Sequence, residues 1–568
     1  MRTFRVPRFL ALLAVAVVLT TSGGATAAIA AAKPTAANDA AIVQRLDALL
    51  VPLFPADQPG AAILVARNGK PIYRRAFGLA NLESKTPVRP EMEFRLASVT
   101  KQFTSALVMQ LVEQGKLDLD ADVTRYLPDF PTHGERITIQ HLLTHTAGLS
   151  DLTSNPEFMA RREQAHSSQQ LLDQFKDKPL GFKPGSRWAY SNSGYILLGA
   201  VIEKVTGRTY AQCLESQIFA PIGMTHSRYG TDEPASANET RGYRRDAGKR
   251  LPAEPISMTV PFAAGAIVSS VDDLLKWDNA LTAGKVMKPA SLARTMAPVT
   301  LADGKSSSYG FGWVMSNYEG HRIEQHNGGI DGFLANVVRI PDDRLYVAML
   351  VNDESPSFNA DFLAAKLTAI AVGKPLPEPG AHSMTPEQLD RFVGVYAVDS
   401  ATSRAIVRKD RKLYSQRRGG GELELFPTSD STFGMVDRIA RLTFRRGPDG
   451  KIDRVVMNQS GLEQTYRRTD ELLPNARITV ALTPAQIDAC VGVYELTPQF
   501  KITVAREDTK VYAQATGQPR FEIFAESPTR FYLTAVDAQI EFEPGDDGRM
   551  KTMTLRQGGN DTVGKRVE

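Results

Sequence analysis

Ser98-Val-Thr-Lys101 is the strongest local candidate for chemistry in this sequence. Apolar residues at helical spacing follow these four residues, which predicts a helix over 98–114 with Gly115 as its C-terminal cap. Residues three apart share a helix face, so the Lys101 amine should lie beside the Ser98 hydroxyl. A serine becomes a strong nucleophile when a base takes its proton, and a lysine can be that base if burial or positive neighbours lower its pKa.

Two later motifs strengthen this weak signal. Ser-x-x-Lys alone should occur about once by chance in a chain of this length, and a helix N-cap serine beside an unrelated lysine would explain it as well. However, Tyr190-Ser-Asn192 follows a Pro-Gly turn and precedes a predicted helix over 193–205. Much later, His326-Asn-Gly-Gly329 ends a predicted strand. Ser-x-x-Lys, Tyr-x-Asn and basic-x-Gly, in this order, form a specific combination.

This combination resembles the penicillin-recognising serine hydrolases, a family that includes class C β-lactamases, D,D-peptidases, D-aminopeptidases and related esterases. The resemblance covers most of residues 50–355. Three further segments support it, namely Phe94–Ser98, His141–Leu149 and Tyr309–Trp313.

The resemblance implies a role for each residue of the first two motifs. Ser98 is the nucleophile that forms the acyl-enzyme, and Lys101 is its partner base. Tyr190 moves a proton to the leaving group and helps to activate water, while Asn192 holds the lysine and the substrate amide. Whether Lys101 or Tyr190 is the base in each step stays open at this point.

The strand motif supplies the expected substrate-binding edge. The resemblance implies an oxyanion hole made by the backbone N–H groups of Ser98 and Gly329, which in such enzymes is often the largest electrostatic contribution to catalysis. Substrate contacts are expected at Asn327, Gly328 and Leu149.

His326 departs from the pattern of classical β-lactamases and D,D-peptidases. Those enzymes have Lys-Thr-Gly here, and the lysine helps to attract the substrate carboxylate. A histidine is mostly neutral at pH 7, so His326 weakens the case for a carboxylate-bearing substrate. In this respect the sequence resembles D-aminopeptidases and some amidases and esterases.

The sequence predicts no cofactor and no metal. His141 and His145 are four apart, as in metal-binding helices, but Leu142 stands where a His-Glu-x-x-His motif has glutamate. Both are therefore interpreted as structural residues near the cleft. There is no phosphate loop, dinucleotide fingerprint or Gly-x-Ser-x-Gly elbow.

Outside these motifs, the chain divides into a leader, a large unit and a linker. Residues 1–30 combine three arginines, a short apolar run and Ala-x-Ala sites, which predicts a signal peptide and an exported protein, periplasmic or secreted. Residues 36–372 have strands at both ends and helices between, which predicts an α+β domain with one antiparallel sheet and a helical lobe. The resemblance makes it class C β-lactamase-like. Residues 373–383 form a proline-rich linker.

A tandem duplication follows the linker. Residues 384–472 and 477–568 repeat each other at an offset of 98, as in Met384–Tyr396 and Leu482–Tyr494. Short strand patterns and Asp-Gly turns predict two small antiparallel β-barrels. The layout resembles D-aminopeptidase, in which a barrel loop reaches the active site; Arg417–Gly421 and Ala515–Pro519 are candidates, although both could be plain hairpin tips.

Composition limits the partners. Lys+Arg 67 against Asp+Glu 63 gives a net charge of +4, too balanced for an electrostatic nucleic-acid binder. The apolar run of the leader is too short to span a bilayer, so no integral membrane segment is predicted. Cys213 and Cys490 are expected to be buried free thiols rather than a disulfide. The sequence leaves the oligomeric state open.

Together these features predict an exported serine hydrolase that forms an acyl-enzyme on Ser98 and cleaves small amides or peptides, including those with D-residues. An esterase or weak β-lactamase using the same site is one alternative. A penicillin-binding sensor that turns over slowly, with ligand-binding β-domains, is another.

Overall fold

The computed structural model describes residues 36–233, 236–246, 249–399, 402–418, 421–459, 461–473, 479–497, 500–516, 520–533, 538–557 and 560–567. The predicted signal peptide lies outside these ranges, as do residues 419–420 and 517–519 of the two candidate barrel loops. Within the described ranges, no helix combines the length and the apolar character needed to cross a bilayer.

A six-stranded antiparallel sheet forms the centre of the N-terminal domain. Its strands are β1 (Ala61–Arg67), β2 (Lys70–Phe77), β10 (Val314–Tyr318), β11 (His321–Ile330), β12 (Phe333–Ile340) and β13 (Leu345–Val351). Their spatial order is β10-β11-β12-β13-β1-β2, so the first hairpin pairs with the last strand of the domain. Asn68 and Gly69, with φ of 53° and 75°, make the tight two-residue turn of that hairpin, which the Asn-Gly sequence favours.

Helices cover both faces of the sheet. On one face, α1 (Ala36–Leu50) and α12 (Ala360–Ala371) enclose a core that includes Leu46, Ile63 and Leu367. The other face carries the helical lobe, whose helices are α2 (Thr100–Glu113), α3 (Ile139–Leu143), α4 (Pro156–Met159), α5 (Ser168–Leu172), α6 (Asn192–Thr206), α7 (Tyr210–Leu214), α8 (Ala220–Ile222), α9 (Phe262–Gly265), α10 (Val271–Thr282) and α11 (Pro289–Thr295).

Short strands connect the lobe to the sheet. They are β3 (Leu79–Asn81), β4 (Thr86–Pro87), β5 (Phe94–Arg95), β6 (Arg228–Tyr229), β7 (Tyr243–Asp246), β8 (Lys249–Pro252) and β9 (Ile267–Ser269). Strand β5 lies shortly before a 3₁₀ turn at Ala97–Val99. Strand β9 pairs with β5.

The predicted helices over 98–114 and 193–205 are confirmed as α2 and α6. The sequence also predicts a strand over 309–316, but β10 begins at Val314. Gly312 explains the difference, because it has φ of 78° and lies so close to α2 that a Cβ there would be 2.7 Å from the Lys101 carbonyl oxygen. The segment before β10 is therefore bent against the helix and cannot pair as a strand.

The C-terminal region folds into two closed eight-stranded antiparallel barrels, as predicted. The first contains β14 (Gly394–Ala397), β15 (Ser403–Lys409), β16 (Lys412–Arg417), β17 (Glu422–Pro427), β18 (Thr432–Met435), β19 (Ala440–Arg446), β20 (Ile452–Gln459) and β21 (Leu462–Arg468). The second contains β22 (Gly492–Thr497), β23 (Phe500–Glu507), β24 (Lys510–Ala515), β25 (Arg520–Ser527), β26 (Arg530–Leu533), β27 (Ala538–Pro544), β28 (Met550–Gln557) and β29 (Asn560–Arg566). A short helix precedes each barrel, α13 (Pro386–Asp390) and α14 (Pro484–Cys490).

The two barrels close in the same register. Tyr396 pairs with Arg468 in the first, and Tyr494 pairs with Arg566 in the second, at the sequence offset of 98. Each tyrosine hydroxyl also donates to the carbonyl four residues before it, at 2.8 and 2.9 Å. The duplication seen in the sequence is therefore a duplication of structure. The carbonyl in the second barrel belongs to Cys490, which is a buried free thiol, as predicted.

Phe103 tests the packing between the lobe helices. Its ring is fully buried and stacks on Trp277 with 4.1 Å between centroids. Phe103→Ala should therefore destabilise the N-terminal domain by about 3–5 kcal/mol, measured by urea unfolding. Val51→Ala is the control, because this side chain is 56% exposed and should change the stability by less than ~0.5 kcal/mol. A Phe103→Ala loss no larger than that of the control would contradict this packing.

Candidate active site

Ser98 lies on a sharp turn between β5 and α2. The preceding residue, Ala97, has φ of 47°, a left-handed conformation that is costly for a residue with a Cβ. Ala97 and Val99 are buried, whereas Ser98 is half-buried. The strained turn thus anchors its neighbours in the core and leaves the Ser98 hydroxyl open to the cleft.

Lys101 lies one helical turn further on and is fully buried. Its Nζ contacts three oxygens: Ser98 Oγ at 3.1 Å, Asn192 Oδ1 at 2.9 Å and the Ala264 carbonyl at 2.9 Å. Nζ also lies 4.8 Å from the centre of the Tyr190 ring. The helix spacing predicted from the sequence brings the amine to the serine, and two other elements hold the amine there.

Burial lowers the pKa of Lys101 to about 7, although the Asp151 carboxylate partly opposes the shift. A neutral amine has two N–H bonds and one lone pair. The Asn192 and Ala264 oxygens can accept the two N–H bonds, which leaves the lone pair for the Ser98 hydroxyl proton. The site therefore favours a lysine that is a base near neutral pH.

Tyr190 completes the contacts of the serine. Its Oη donates to Ser98 Oγ at 2.8 Å. Burial raises the pKa of Tyr190 well above its ordinary value, so the phenol keeps its proton at neutral pH. Ser98 Oγ consequently lies between a proton donor and a proton acceptor.

His145 holds Tyr190 in this position from three sides. Its backbone carbonyl accepts from Ala189 N–H at 3.0 Å, and its ring Nδ1 accepts from Ser191 N–H at 3.1 Å. Its ring also packs on the Tyr190 ring with 4.3 Å between centroids. Burial and the nearby Lys101 lower the pKa of His145 well below its ordinary value, which keeps the ring neutral and Nδ1 free to accept. The sequence placed His145 near the cleft but did not reveal this clamp.

Asp151 supports Asn192 and was missed by the sequence reasoning. Its Oδ2 accepts from the Asn192 backbone N–H at 3.3 Å and from Asn192 Nδ2 at 3.4 Å. This orientation leaves Asn192 Oδ1 free to accept from Lys101. Asp151 also caps the 3₁₀ turn Leu152–Ser154, a short polar signal two residues after Leu149 that could have identified it.

His326 is buried beside Tyr190 and Lys101, and its ring is neutral. Its Nε2 accepts from Tyr309 Oη at 2.8 Å, and its Nδ1 donates to the Asn327 carbonyl at 2.6 Å. Burial, together with the Lys101 charge, lowers the pKa of His326 to about 3. Tyr309 is a second residue whose place in the site was not predicted, although the segment Tyr309–Trp313 was singled out.

The edge of β11 lies directly against the turn that carries Ser98. Strand β10 pairs with β11 only as far as Gln325, so the edge beyond it is not covered by a strand. A Cβ at Gly328 would lie 2.3 Å from the Leu96 oxygen and 3.0 Å from the Ser98 nitrogen. Glycine is required for this approach, and it brings the next residue, the exposed Gly329, to the same edge.

Two other predicted substrate contacts lie apart from this group. The side chain of Asn327 is on the opposite face of the sheet, where Nδ2 donates to both Asp361 oxygens at 3.1 Å. Strand alternation causes this, because His326 and Gly328 occupy the lobe face. Leu149 is 9% exposed and belongs to the main core of the lobe.

The first barrel lies beside β11 through a turn that the sequence did not suggest, on the face of the sheet that carries Asp361. Asp437, Arg438 and Ile439, between β18 and β19, line a cavity of about 330 Å³ together with His326 and Asn327. Neither Arg417–Gly421 nor Ala515–Pro519 contributes a described residue to this cavity. The loop contact between barrel and site therefore stays a prediction, and Asp437–Ile439 is a third candidate for it.

Comparison with known proteins identifies the family. Residues 41–370 match the family model described as Beta-lactamase, and residues 476–566 match one described as a domain of unknown function. Penicillin-binding protein 4* of Bacillus subtilis (strain 168) is 30% identical over 448 residues, 75% of this chain and 98% of that protein. A D-aminopeptidase of Gluconobacter oxydans (strain 621H) is 29% identical over 337 residues, 58% of this chain and 62% of that protein.

Solved structures share the fold. The octameric penicillin-binding protein homologue from Pyrococcus abyssi matches with a TM-score of 0.54 and 22% identity, over 83% of this chain and 98% of that one. The D-amino acid amidase from Ochrobactrum anthropi SV3, in complex with L-phenylalanine amide, matches with a TM-score of 0.51 and 26% identity, over 60% of this chain and 98% of that one. Because the family model matches more than half of the chain, the chain belongs to the Beta-lactamase family and is a serine hydrolase.

Proposed function

We propose that this protein is an exported hydrolase that cleaves small amides or peptides, including those with D-residues, through an acyl-enzyme on Ser98. The observation that carries the proposal is the buried Lys101 amine, which contacts Ser98 Oγ while two other oxygens hold it in place. Relatives named D-aminopeptidase and D-amino acid amidase support the substrate class. The charged and apolar composition of residues 1–30 supports export to the periplasm or beyond.

Acylation begins with proton transfer from Ser98 to Lys101. The neutral amine accepts the hydroxyl proton as Ser98 Oγ forms a bond to the substrate carbonyl carbon. The amide C–N bond then breaks, and the leaving amine takes up a proton. Tyr190 can deliver this proton from Lys101, because both groups contact Ser98 Oγ, at 2.8 and 3.1 Å.

The oxyanion that forms on the carbonyl needs donors on the opposite side of Ser98. The backbone N–H groups of Ser98 and Gly329 are the proposed pair. The close contact of Gly328 with the Ser98 nitrogen supports this pairing, since it holds the β11 edge and the nucleophile turn together. Fixed donors of this kind stabilise the transition state without reorganising during the reaction.

Deacylation reverses these steps with water in place of the amine. Lys101 is the proposed resting-state base, since the pKa of Tyr190 is raised well above neutrality while that of Lys101 is about 7. Tyr190 then acts as a neutral donor and relay. The choice between the two residues, which the sequence leaves open, follows from their different burial and partners.

The neutral His326 supports substrates without a carboxylate at this point of the cleft. Its two ring nitrogens are already occupied by Tyr309 and the Asn327 carbonyl, so no charged or free donor is presented there. Small amides with an uncharged carboxamide suit this surface better than anionic peptides.

A slowly turning-over penicillin-binding protein is the second candidate. It is favoured by the match to Penicillin-binding protein 4*, which spans 75% of this chain. Both candidates use the same acyl-enzyme and differ in how fast water releases the acyl group. An esterase or weak β-lactamase would use the same groups on another carbonyl.

Ser98→Ala tests the nucleophile. The purified full chain should be labelled by a serine-directed phosphonate, and Ser98→Ala should abolish labelling, measured by intact mass. Ser105→Ala is the matched control, because Ser105 lies on the same helix, bonds only to the buried Tyr195 hydroxyl and should leave labelling unchanged. Labelling that persists in Ser98→Ala would contradict a mechanism in which Ser98 is the nucleophile.

A substrate panel then separates the candidate functions. D-aminoacyl amides, their L-isomers, p-nitrophenyl esters and nitrocefin should be compared at equal concentrations. Continuous release of amine from the D-amides, faster than from the L-amides, is expected. A burst of one equivalent of product followed by no turnover would favour the penicillin-binding alternative instead.

The pH dependence of acylation reports Lys101. Since only the neutral amine accepts the Ser98 proton, kcat/KM should rise with pH and level off above a midpoint of about 7. Asp151→Asn should move this midpoint to lower pH, because the Asp151 carboxylate raises the pKa of Lys101. A value of kcat/KM that stays at its plateau from roughly pH 5 to pH 9 would rule out Lys101 as the base.

His145 variants test the clamp on Tyr190. His145→Ala removes the acceptor for Ser191 N–H and should lower kcat by roughly 10- to 100-fold with little change in KM. His145→Asn should recover part of the loss, since asparagine offers an acceptor oxygen and tolerates the left-handed backbone at this position, φ 57°. If both variants lose kcat equally, His145 has a structural role only. The same conclusion follows if the thermal unfolding midpoint falls in each variant in proportion to its loss of kcat.

A further inference from the structure

Arg404 is a buried guanidinium inside the first barrel. It lies on β15 and is 6% exposed. Its Nη1 donates to Ser415 Oγ at 2.8 Å, and its Nη2 contacts Met457 Sδ at 3.4 Å. Its carbon Cζ lies 5.7 Å from the centre of the Tyr466 ring. Its Nε has no hydrogen-bond partner in the described part of the chain.

This arrangement leaves a buried charge without compensation. The contacts of Arg404 are a hydroxyl, a thioether and a ring, and no carboxylate of the described residues pairs with it. Buried charges in proteins are normally paired, because removing a charge from water costs several kcal/mol. Burial accordingly lowers the pKa of Arg404, the Tyr466 hydroxyl partly opposes this shift, and the positive charge of Arg417 adds to it.

Arg417 adds a second cation at the same place. It is the direct cross-strand partner of Arg404 in the β15–β16 register, so both side chains leave the same face of the barrel wall. Arg417 is exposed, and within the described residues no acidic side chain pairs with it. Like charges directly opposite each other destabilise a sheet. Two such cations on one face indicate a site for a negative charge.

The second barrel shows that this cluster is not required for the fold. At the offset of 98, Arg404 corresponds to Ile502 and Arg417 to Ala515, and these two residues are paired in the same register. Ser415, Met457 and Tyr466 correspond to further apolar or side-chain-free residues, namely Ala513, Leu555 and Gly564. The second barrel closes with this apolar set, so a barrel of this kind does not need the polar set in order to close.

Exposed apolar side chains lie at the same end of the first barrel. In an antiparallel barrel the end of β14, the end of β16 and the start of β21 share one mouth. Val398, directly after β14, is 44% exposed, and Leu462, the first residue of β21, is 66% exposed. Leu462 is an even number of residues from the inward-facing Tyr466 and therefore shares its face. The mouth thus combines the buried Arg404 and the exposed Arg417 with two exposed apolar side chains, Val398 and Leu462.

We propose that the mouth of the first barrel binds a small organic anion, a carboxylate with an apolar body, whose oxygens pair with Arg417 above the buried charge of Arg404 while its apolar part covers Val398 and Leu462. A guanidinium holds a carboxylate through two parallel N–H bonds, and the exposed Arg417 can present them at the mouth while the neighbouring Arg404 adds a second positive charge. The site lies outside the catalytic group, and the proposal does not depend on the hydrolase reaction.

One rim of this mouth touches the N-terminal domain. The turn between β20 and β21 lies against the sheet, since a Cβ at Gly461 would lie 2.6 Å from the Asn317 Cβ on β10. Asp437–Ile439 form another turn at this end and line a cavity with residues of β11 and α12. A ligand at the mouth would therefore lie at the end of the barrel that contacts the sheet.

Calorimetric titration of the full chain tests the proposal with three probes. Sodium hexanoate carries both the anion and the apolar body, acetate lacks the body, and hexanamide lacks the charge. Hexanoate should bind saturably and at least tenfold more tightly than either of the others. Acetate binding as tightly as hexanoate would reduce the site to a general anion site and overturn the organic part of the proposal.

Variants that copy the second barrel provide the matched test. Arg404→Ile with Arg417→Ala should abolish hexanoate binding, while Arg549→Ala, which removes one exposed cation from a turn of the second barrel, should leave it unchanged. The thermal midpoint of the double variant without ligand should equal or exceed that of the parent, because replacing an uncompensated buried charge by an apolar residue is often stabilising.

Other outcomes of these experiments would count against the proposed site. Hexanoate binding that survives in the double variant, or that the parent protein lacks, overturns the site. If Arg404→Ile does not fold, Arg404 is a structural residue of the barrel. The exposed Arg417→Ala alone then decides whether binding exists, because it should weaken hexanoate at least fivefold without affecting the fold.

Discussion

The burial of one amine determines the arrangement of the active site. Lys101 is fully enclosed, and its amine contacts oxygens from three separate parts of the chain. Enclosure lowers the pKa of the amine toward neutrality, which an exposed lysine could not achieve. The oxygens of Asn192 and Ala264 hold the N–H bonds, so the lone pair has one direction left, toward Ser98.

The sheet contributes an open edge as well as the buried His326 side chain. Because β10 ends before His326, the rest of β11 is uncovered and can lie against the turn of Ser98. Gly328 permits that contact, and the strained Ala97 presents the serine to it. On the other side, His145 fixes the backbone around Tyr190 through two amides. The nucleophile thus lies between a rigid strand edge and a clamped tyrosine, each built on a different element.

The duplicated barrels separate what a fold needs from what a site needs. Both copies retain the tyrosine and arginine that close the barrel, Tyr396 with Arg468 and Tyr494 with Arg566. Among the described residues of the two barrels, the first copy alone buries a guanidinium, that of Arg404, below one mouth of the barrel. A buried charge opposes folding, so its presence in one copy and its replacement by isoleucine in the other indicate a function restricted to the first barrel.

The sequence by itself determined the motifs, the family resemblance, the α+β domain and the two barrels, because helical spacing, strand alternation and a constant repeat offset are local or periodic properties. It also placed Lys101 beside Ser98, since three residues on a helix fix that distance. Only the tertiary structure decided that the pKa of Lys101 falls to about 7, that His145 and Asp151 support the site, that the Asn327 side chain faces away, and that Arg404 is buried with no carboxylate of the described residues paired to it. Those facts depend on burial and on contacts between residues far apart in the chain, and pKa values and partners arise only when the packed fold removes water from them.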